Sequence, residues 1–220
     1  TIYFAAADCT GHGVPGAMIS VVCSNALTKV LLEEKITDPG KMLDRTRELV
    51  IDQFARSEEE VKDGMDISLC ALNLKTRELH WAGANNPLWV VRSKYIPDTD
   101  PESKRSNTQI PDQVGNVNHE LEEFKADKQP IGKYAGEKPF STHSFQLNEG
   151  DSIYIFSDGY PDQFGGEKGK KYKSGKFKKF ILSIVDKPHS EQRQLLLDEF
   201  ENWRGDIEQI DDVCVVGVRV

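Results

Sequence analysis

With 36 acidic against 28 basic side chains, the 220-residue chain has a net charge of −8 and a pI near 5.2. That balance argues against nonspecific attachment to nucleic acid or to an anionic membrane. No apolar run reaches the length of a membrane span or reads as a signal peptide, and the length suffices for one large domain with a sizeable core or for two small ones.

The chain enters a strand at once. Residues 2–7 form an apolar run that reads as a buried strand, with no initiating Met before Thr1-Ile2-Tyr3-Phe4. Domains seldom begin inside a core strand, so the expectation is a piece of a longer protein, lacking an earlier strand. The run ends on Asp8, followed by the glycine-rich turn Cys9-Thr10-Gly11-His12-Gly13. A helix is predicted over 13–34. Pro15 suits its first turn, and Met18, Val21, Val22, Ala26 and Leu32 are expected to share a buried face. Asp38-Pro39 opens a second helix, to about residue 56, with the stripe Met42, Leu43, Thr46, Leu49, Val50 and Phe54.

The period then changes. Ile67, Leu69 and Ala71 alternate with Asp66, Ser68 and Cys70, which predicts a strand. Lys75-Thr76-Arg77 turns the chain into a partner strand at 79–82, and Asn85-Asn86-Pro87 breaks it before another at 88–91. Residues 93–128 are polar and proline-containing and read as a surface excursion, with a strand near 121–124. A turn at Asn148-Glu149-Gly150-Asp151 leads into the strand 153–157, which ends on Asp158. Residues 160–180 contain a Gly- and Lys-rich, flap-like segment. A solvated loop accounts for it, as does a surface for an acidic or phosphorylated partner. Helices are predicted to end near 185 and to cover 191–203, and a core strand closes the chain at 212–220, after Asp211. Two helices followed by a run of antiparallel strands favour helices packed on sheets over a βαβ repeat.

Cys9, Cys23, Cys70 and Cys214 lack CxxC spacing and lie in or beside apolar elements, the pattern of reduced thiols rather than of disulfides or zinc. There is no GxSxG elbow, no HExxH, and neither the dinucleotide nor the P-loop glycine spacing. What stands out are three carboxylate sites far apart in sequence, Asp8, Asp158 and Asp211-Asp212, each beside an apolar run. Singly, each is explained as a cap or turn former. Together they suggest convergence on a hard cation such as Mg²⁺ or Mn²⁺, which takes oxygen ligands.

These segments resemble, in order, the motifs of the SpoIIE-type phosphatases, the bacterial branch of the metal-dependent (PPM, type 2C) Ser/Thr protein phosphatases. The matching stretches are Asp8-x-Thr10-Gly11-His12-Gly13-x-Pro15-Gly16-Ala17, Gly64-Met65-Asp66-Ile67-Ser68-Leu69 and Trp81-Ala82-Gly83-Ala84-Asn85-Asn86-Pro87. They continue with Gln129-Pro130-Ile131-Gly132, Gly150-Asp151 with Ser157-Asp158-Gly159 and Asp162, and Asp211-Asp212. The resemblance runs end to end and implies an α+β fold: a four-layer αββα sandwich of two antiparallel sheets flanked by helices, here one domain over 1–220 without its first strand or strands. In the family an earlier acidic motif lies upstream of the position of Thr1, and this chain does not contain it.

The resemblance also implies a site. Asp8 would bridge two Mn²⁺ or Mg²⁺ ions with the Cys9 carbonyl on one of them, and Asp158 and Asp211 would hold the second. Asp66, or Asp63, would help hold a third. His12, Asp162 and Asp212 would serve as an acid or as neighbours of the ligands. Water activated by two metals would then hydrolyse phosphoserine or phosphothreonine directly, without a phosphoenzyme. The implied substrate is a phosphorylated protein, such as an anti-sigma-factor antagonist. The implied setting is a cytoplasmic signalling protein with an N-terminal sensor or dimerising region, which leaves a homodimer and a membrane-attached parent open. The alternative is a non-catalytic module of the same fold that binds a phosphoprotein.

Overall fold

The computed structural model describes residues 1–11, 13–55, 64–96 and 116–220. Strand β1 (Ile2–Cys9) leads to helices α1 (Gly13–Leu32) and α2 (Pro39–Phe54). Strands β2 (Met65–Leu72), β3 (Glu78–Ala84), β4 (Leu88–Ile96), β5 (Asn116–Phe124), β6 (His143–Gln146) and β7 (Ser152–Phe156) follow. Helix α3 (Gly159–Asp162), the short strands β8 (Phe164–Gly165) and β9 (Lys170–Lys171), helices α4 (Ser174–Ile184) and α5 (His189–Arg204) and strand β10 (Val215–Arg219) complete the chain.

Two four-stranded sheets result, ordered β1-β2-β3-β6 and β10-β7-β4-β5, with every pairing between these strands antiparallel. Three buried clusters fill the three spaces between four layers, and the period of two assigns side chains to them. Ile67 and Leu69 of β2, with Ala82 and Ala84 of β3, pack outward against α1 and α2. Their neighbours Cys70, Leu72, Leu79 and Trp81 point inward and meet Leu88, Val90, Ile153 and Ile155 of the second sheet. On that sheet's far side Trp89, Val91, Tyr154 and Phe156 pack against Tyr160, Phe177, Ile181 and Phe200 of α3, α4 and α5. Strands covered on both faces need apolar residues at consecutive positions, which is why 88–91 and 153–156 read as unbroken apolar runs. The architecture is the expected αββα sandwich.

Local signals hold at the predicted turns. The Asp38 side chain caps α2 by accepting from the Lys41 N–H at 3.0 Å. Asn73 Oδ1 accepts from the N–H groups of Lys75 and Thr76 (3.0 and 3.2 Å), closing the β2–β3 turn. Gly150 (φ +87°) and buried Asp151, ion-paired to Arg92 at 2.8 Å, form the turn into β7.

Three expectations are corrected. The buried face of α1 is Ile19, Cys23, Ala26 and Val30, whereas Met18, Val21 and Leu32 are exposed. This helix is apolar almost all round, so its sequence period could not select a face; α2 and the first sheet do. The closing strand is a half-exposed edge of the second sheet rather than a core strand. Strand β5 is nine residues long and pairs with β4 from Leu88↔Phe124 to Ile96↔Asn116, so residues 93–96 and 116–124 of the polar excursion are paired strand. The expected strand near 121–124 is its second half, and the polar residues of Asn116 to Glu120 hid the first. Of the cysteines, Cys23 and Cys70 are buried, Cys9 and Cys214 half-buried, and all four are free.

Candidate metal centre

The inward-facing parity of the first sheet runs out into acids at one end of the sandwich. On β1 it passes through Phe4 and Ala6 to Asp8; on β2 it passes from Leu72 and Cys70 through Ser68 to Asp66. The register places Asp8 opposite Asp66. Like charges directly opposite one another on neighbouring strands repel. Buried Ser68 ties this parity together: it accepts from Trp81 Nε1 at 2.7 Å and donates to the Pro87 carbonyl at 3.2 Å. Asn85, in the left-handed region (φ +59°), donates from Nδ2 to the Asp66 carboxylate at 2.8 Å.

The second sheet delivers Asp158 and Asp211. Asp158 follows β7 at the start of α3, yet its side chain makes no capping hydrogen bond, so that bland role is vacant. Asp211 precedes β10 and accepts from the Asp212 N–H at 2.8 Å. The two loops are clamped by Ser157: its Oγ donates to the Asp212 carbonyl (2.9 Å) and accepts from the Cys214 N–H (2.9 Å). Gly159 lies so close to the Asp212 carbonyl that any Cβ would collide with it. The loop after β1 is held in a similar way. The Thr10 N–H donates to the Gly64 carbonyl (3.0 Å) and the Gly64 N–H to Thr10 Oγ1 (2.9 Å). A Cβ on Gly16 would stand 2.5 Å from the Gly11 carbonyl oxygen.

The result is an open cavity of about 760 Å³ lined by Asp8, Cys9, Thr10, Gly11, Asp66, Asp158, Asp211 and Asp212, with Glu208, Gln209 and Ile210 on one wall. Carboxylate oxygens of Asp8, Asp158 and Asp211 lie within 4.8 Å of one another. Electrostatics registers the crowding. Burial, then the charges of Asp211, Asp158, Asp66 and Asp212, push the Asp8 carboxyl up to about 6. Burial and the neighbouring carboxylates Asp211, Asp162 and Asp66 raise Asp158, against a smaller opposing effect of Lys171. Burial raises Asp66, partly offset by Asn85. No Lys, Arg or His lines the cavity among the described residues. The charged side chains of the lining are all carboxylates, which suits a hard divalent cation and makes a poor receptor for a bare phosphate.

Of the residues singled out from sequence, Asp8, Cys9, Asp66, Asp158, Asp211 and Asp212 are brought together. Asp162 lies beside them, paired with Lys171 at 2.6 Å. His12 and Asp63 fall outside the described residues. Sequence reasoning did not assign roles to Ser157, Asn85 and the Thr10–Gly64 link, although all lie within the quoted motifs. Glu208 carried no signal, as one acid in an exposed stretch.

The family model described as Stage II sporulation protein E (SpoIIE) matches residues 1–220. No curated protein sequence matches the chain. Among solved structures, the SiaA-PP2C domain of Pseudomonas aeruginosa is similar, with a TM-score of 0.78 and 23% identity over 99% of this chain and 75% of that one. The PP2C phosphatase domain with a regulatory fragment of SpoIIE from Bacillus subtilis gives a TM-score of 0.65 and 20% identity, covering 99% of this chain and 55% of that one. RsbX in complex with magnesium gives a TM-score of 0.52 and 15% identity, over 98% of this chain and 79% of that one. At such identities the structural likeness speaks for the fold, and the full-length family match speaks for membership: the chain belongs to the SpoIIE family and has the PPM (PP2C-type) phosphatase fold.

Proposed function

We propose that this domain is a metal-dependent phosphoric monoester hydrolase acting on phosphoserine or phosphothreonine in a protein. The observation that carries the reading is the convergence of Asp8, Asp158 and Asp211 within 4.8 Å, three acids drawn from both sheets. Burial first and mutual repulsion second raise the Asp8 and Asp158 carboxyls, so holding the charged acids together here is costly. A fold that keeps this arrangement is stabilised by a cation that relieves it.

Asp8, Asp158 and Asp211 would hold two Mn²⁺ or Mg²⁺ ions, with the Cys9 backbone carbonyl beside Asp8 and Asp66 available to a third. When bound, such ions supply Lewis acidity and a water of lowered pKa, the chemistry that phosphomonoester hydrolysis needs. RsbX, of like fold, was solved with magnesium. The chain's own residues do the positioning. Ser157 and Gly159 fix the approach of the Asp211 loop to Asp158. Asn85 orients Asp66. The Thr10–Gly64 link holds the backbone that follows Asp8. The acidic lining keeps a phosphoryl group out until cations are present, which couples substrate binding to metal loading. Asp162 and Asp212 would act as neighbours of the ligands.

The setting we favour is a cytoplasmic signalling protein with a sensor or dimerising region before this domain and a phosphoprotein of the anti-sigma-factor-antagonist kind as substrate. A solved relative in fold, spanning RsbU and RsbW domains of one Mycobacterium tuberculosis protein, is consistent with such a circuit.

The test is hydrolysis of p-nitrophenyl phosphate with Mn²⁺, against EDTA and an Asp158→Ala variant, beside calorimetric Mn²⁺ titration of both proteins. Metal-dependent turnover that the variant loses is expected. No turnover, together with no Mn²⁺ bound by the unaltered protein, would replace this reading with that of a non-catalytic binding module.

A further inference from the structure

The lysine run becomes, in the fold, a fixed platform beside the carboxylate cavity. Seven lysines and a single glutamate, Glu167, lie between Gly165 and Lys179 in a chain of net charge −8. The β8–β9 hairpin that carries the first of them is anchored on both sides. Gly165 leaves no room for a Cβ against the Trp203 carbonyl, and the Gly166 N–H donates to that carbonyl at 2.7 Å. Trp203 Nε1 donates to the Gln163 carbonyl at 3.1 Å. The N–H groups of Tyr172 and Lys173 donate to the carbonyls of Gln163 (2.9 Å) and Pro161 (2.7 Å).

The lysines divide into two sets. Lys171, Lys176 and Lys178 hold Asp162, Glu199 and Glu123 at 2.6, 2.9 and 2.9 Å, and Lys176 also lies 3.9 Å from the centre of the Trp203 ring. These three fasten the segment to the body. Lys168, Lys170, Lys173 and Lys179 are exposed, and none makes an ion pair with another described residue. A solvated basic run on a slack loop would let its charges spread apart. Here the hydrogen bonds of the hairpin and its close approach to Trp203 fix the backbone that carries Lys168, Lys170 and Lys173, so that an anionic partner meets cations on an anchored segment. The platform adjoins the cavity through Lys171, whose ammonium joins Asp162 and lies within electrostatic reach of Asp158.

We propose that the β8–β9 hairpin and the start of α4 form a docking surface for acidic residues flanking the phosphorylated residue of a protein substrate, Lys168, Lys170 and Lys173 being the specificity-determining cations. This rests on the phosphatase reading. The charge map supports a peptide over other polyanions. Asp8, Asp66, Asp158, Glu208, Asp211 and Asp212 make the cavity acidic, so acidic flanks are repelled there and attracted along the hairpin. A phosphopeptide with acidic flanks therefore has one favourable orientation. A nucleic acid or an anionic lipid surface lying on the same lysines would have to cross the acidic rim. Complementarity of this kind sets partner choice and association rate, and salt weakens it.

The experiment compares the Mn²⁺-loaded protein with a Lys168→Glu/Lys170→Glu/Lys173→Glu variant, leaving the three anchoring lysines in place. Substrates are a phosphoserine peptide with Asp/Glu flanks, one of equal length with Gly/Ser flanks, and p-nitrophenyl phosphate as the reference without flanks. The unaltered protein should prefer the acidic peptide, and the preference should fade between about 50 and 300 mM salt. In the variant the ratio of kcat/KM for the acidic peptide to that for p-nitrophenyl phosphate should fall by about tenfold or more. The corresponding Lys→Gln variant, which cannot repel, should lie between. Fluorescence anisotropy of an unphosphorylated acidic peptide in EDTA gives a readout without turnover: low-salt binding in the unaltered protein, lost in the Glu variant. The proposal is overturned if the unaltered protein does not distinguish the peptides, if the variant loses all three substrates equally while retaining its melting temperature, or if the peptide gives no anisotropy change. Tighter binding of single-stranded RNA or phosphatidylserine vesicles, not displaced by the peptide, would overturn it too. Absence of turnover on every substrate would sink the phosphatase reading, while the anisotropy would still decide the docking surface.

Discussion

The two halves of the carboxylate centre are built by different means. On the first sheet Asp8 and Asp66 are fixed by strand register, opposite one another in an eight-pair ladder from Ile2↔Leu72 to Cys9↔Met65. On the second sheet Asp158 and Asp211 sit in loops beyond the ends of β7 and β10, held by the Ser157 hydroxyl and the close approach of Gly159. A ladder spreads the work of positioning over many backbone hydrogen bonds. A clamp concentrates it in one hydroxyl and one missing Cβ. Small substitutions should therefore damage the second half far more than the first.

Gly159→Ala is expected to have the largest effect. The new methyl group must push the Asp212 carbonyl away, and a shift of about 1 Å at a reacting centre can cost on the order of a hundredfold in rate. Mn²⁺-dependent kcat for p-nitrophenyl phosphate and the Mn²⁺ affinity should fall together; unchanged affinity would mean that the loops adjust freely. Ser157→Ala comes next. It removes two hydrogen bonds and leaves the Asp212 carbonyl and the Cys214 N–H without their partner, a loss of about 1–3 kcal/mol read by chemical denaturation.

Asn85→Gly should be milder. It keeps the left-handed backbone accessible and frees only the Asp66 carboxylate, which the register still positions. An exposed hydrogen bond of this kind contributes about 1 kcal/mol. A loss as large as that from Ser157→Ala would break the contrast between ladder and clamp.

The smallest effect concerns pH. Asp8 is raised from 3.8 to about 6 in the fold, so the folded state binds its proton more tightly than the unfolded chain does. Its contribution to stability is therefore greatest when protonated and declines as pH rises from about 4 to 6. In EDTA the melting temperature should drop across that window, Mn²⁺ should remove the drop, and Asp8→Asn should flatten it. A melting temperature that rises with pH there in EDTA would contradict the crowding of carboxylates.

Where the sequence was legible, a local rule and the tertiary environment agreed. The Asp38-Pro39 start of α2, the turn at Asn73–Glu78 and the apolar strands at 88–91 and 153–156 each follow from short-range chemistry. The acids at 8, 158 and 211 could be suspected because each ends or precedes an apolar run, and their ordered motifs pointed to the family. The buried face of α1 was not legible, because Val14, Met18, Val21 and Leu32 are as apolar as the residues that turn inward. Nor was the first part of β5, Asn116 to Glu120, whose polar residues read as surface until β4 pairs with them.

By itself the sequence determined the alternation of strand side chains, the helix start at Asp38, and which acids would stand at the ends of apolar strands, since these depend on residues a few positions apart. Only the tertiary structure decided that Asp8, Asp66, Asp158 and Asp211 share one cavity, that Ser157 and Gly159 clamp it, and that three lysines of the basic run are used as anchors while the other four make no ion pair with a described residue. Apart from the Lys171–Asp162 and Lys176–Glu199 pairs, those outcomes depend on contacts between segments roughly 50 to 200 residues apart. Such contacts are set by how sheets and helices pack, and no local pattern encodes them.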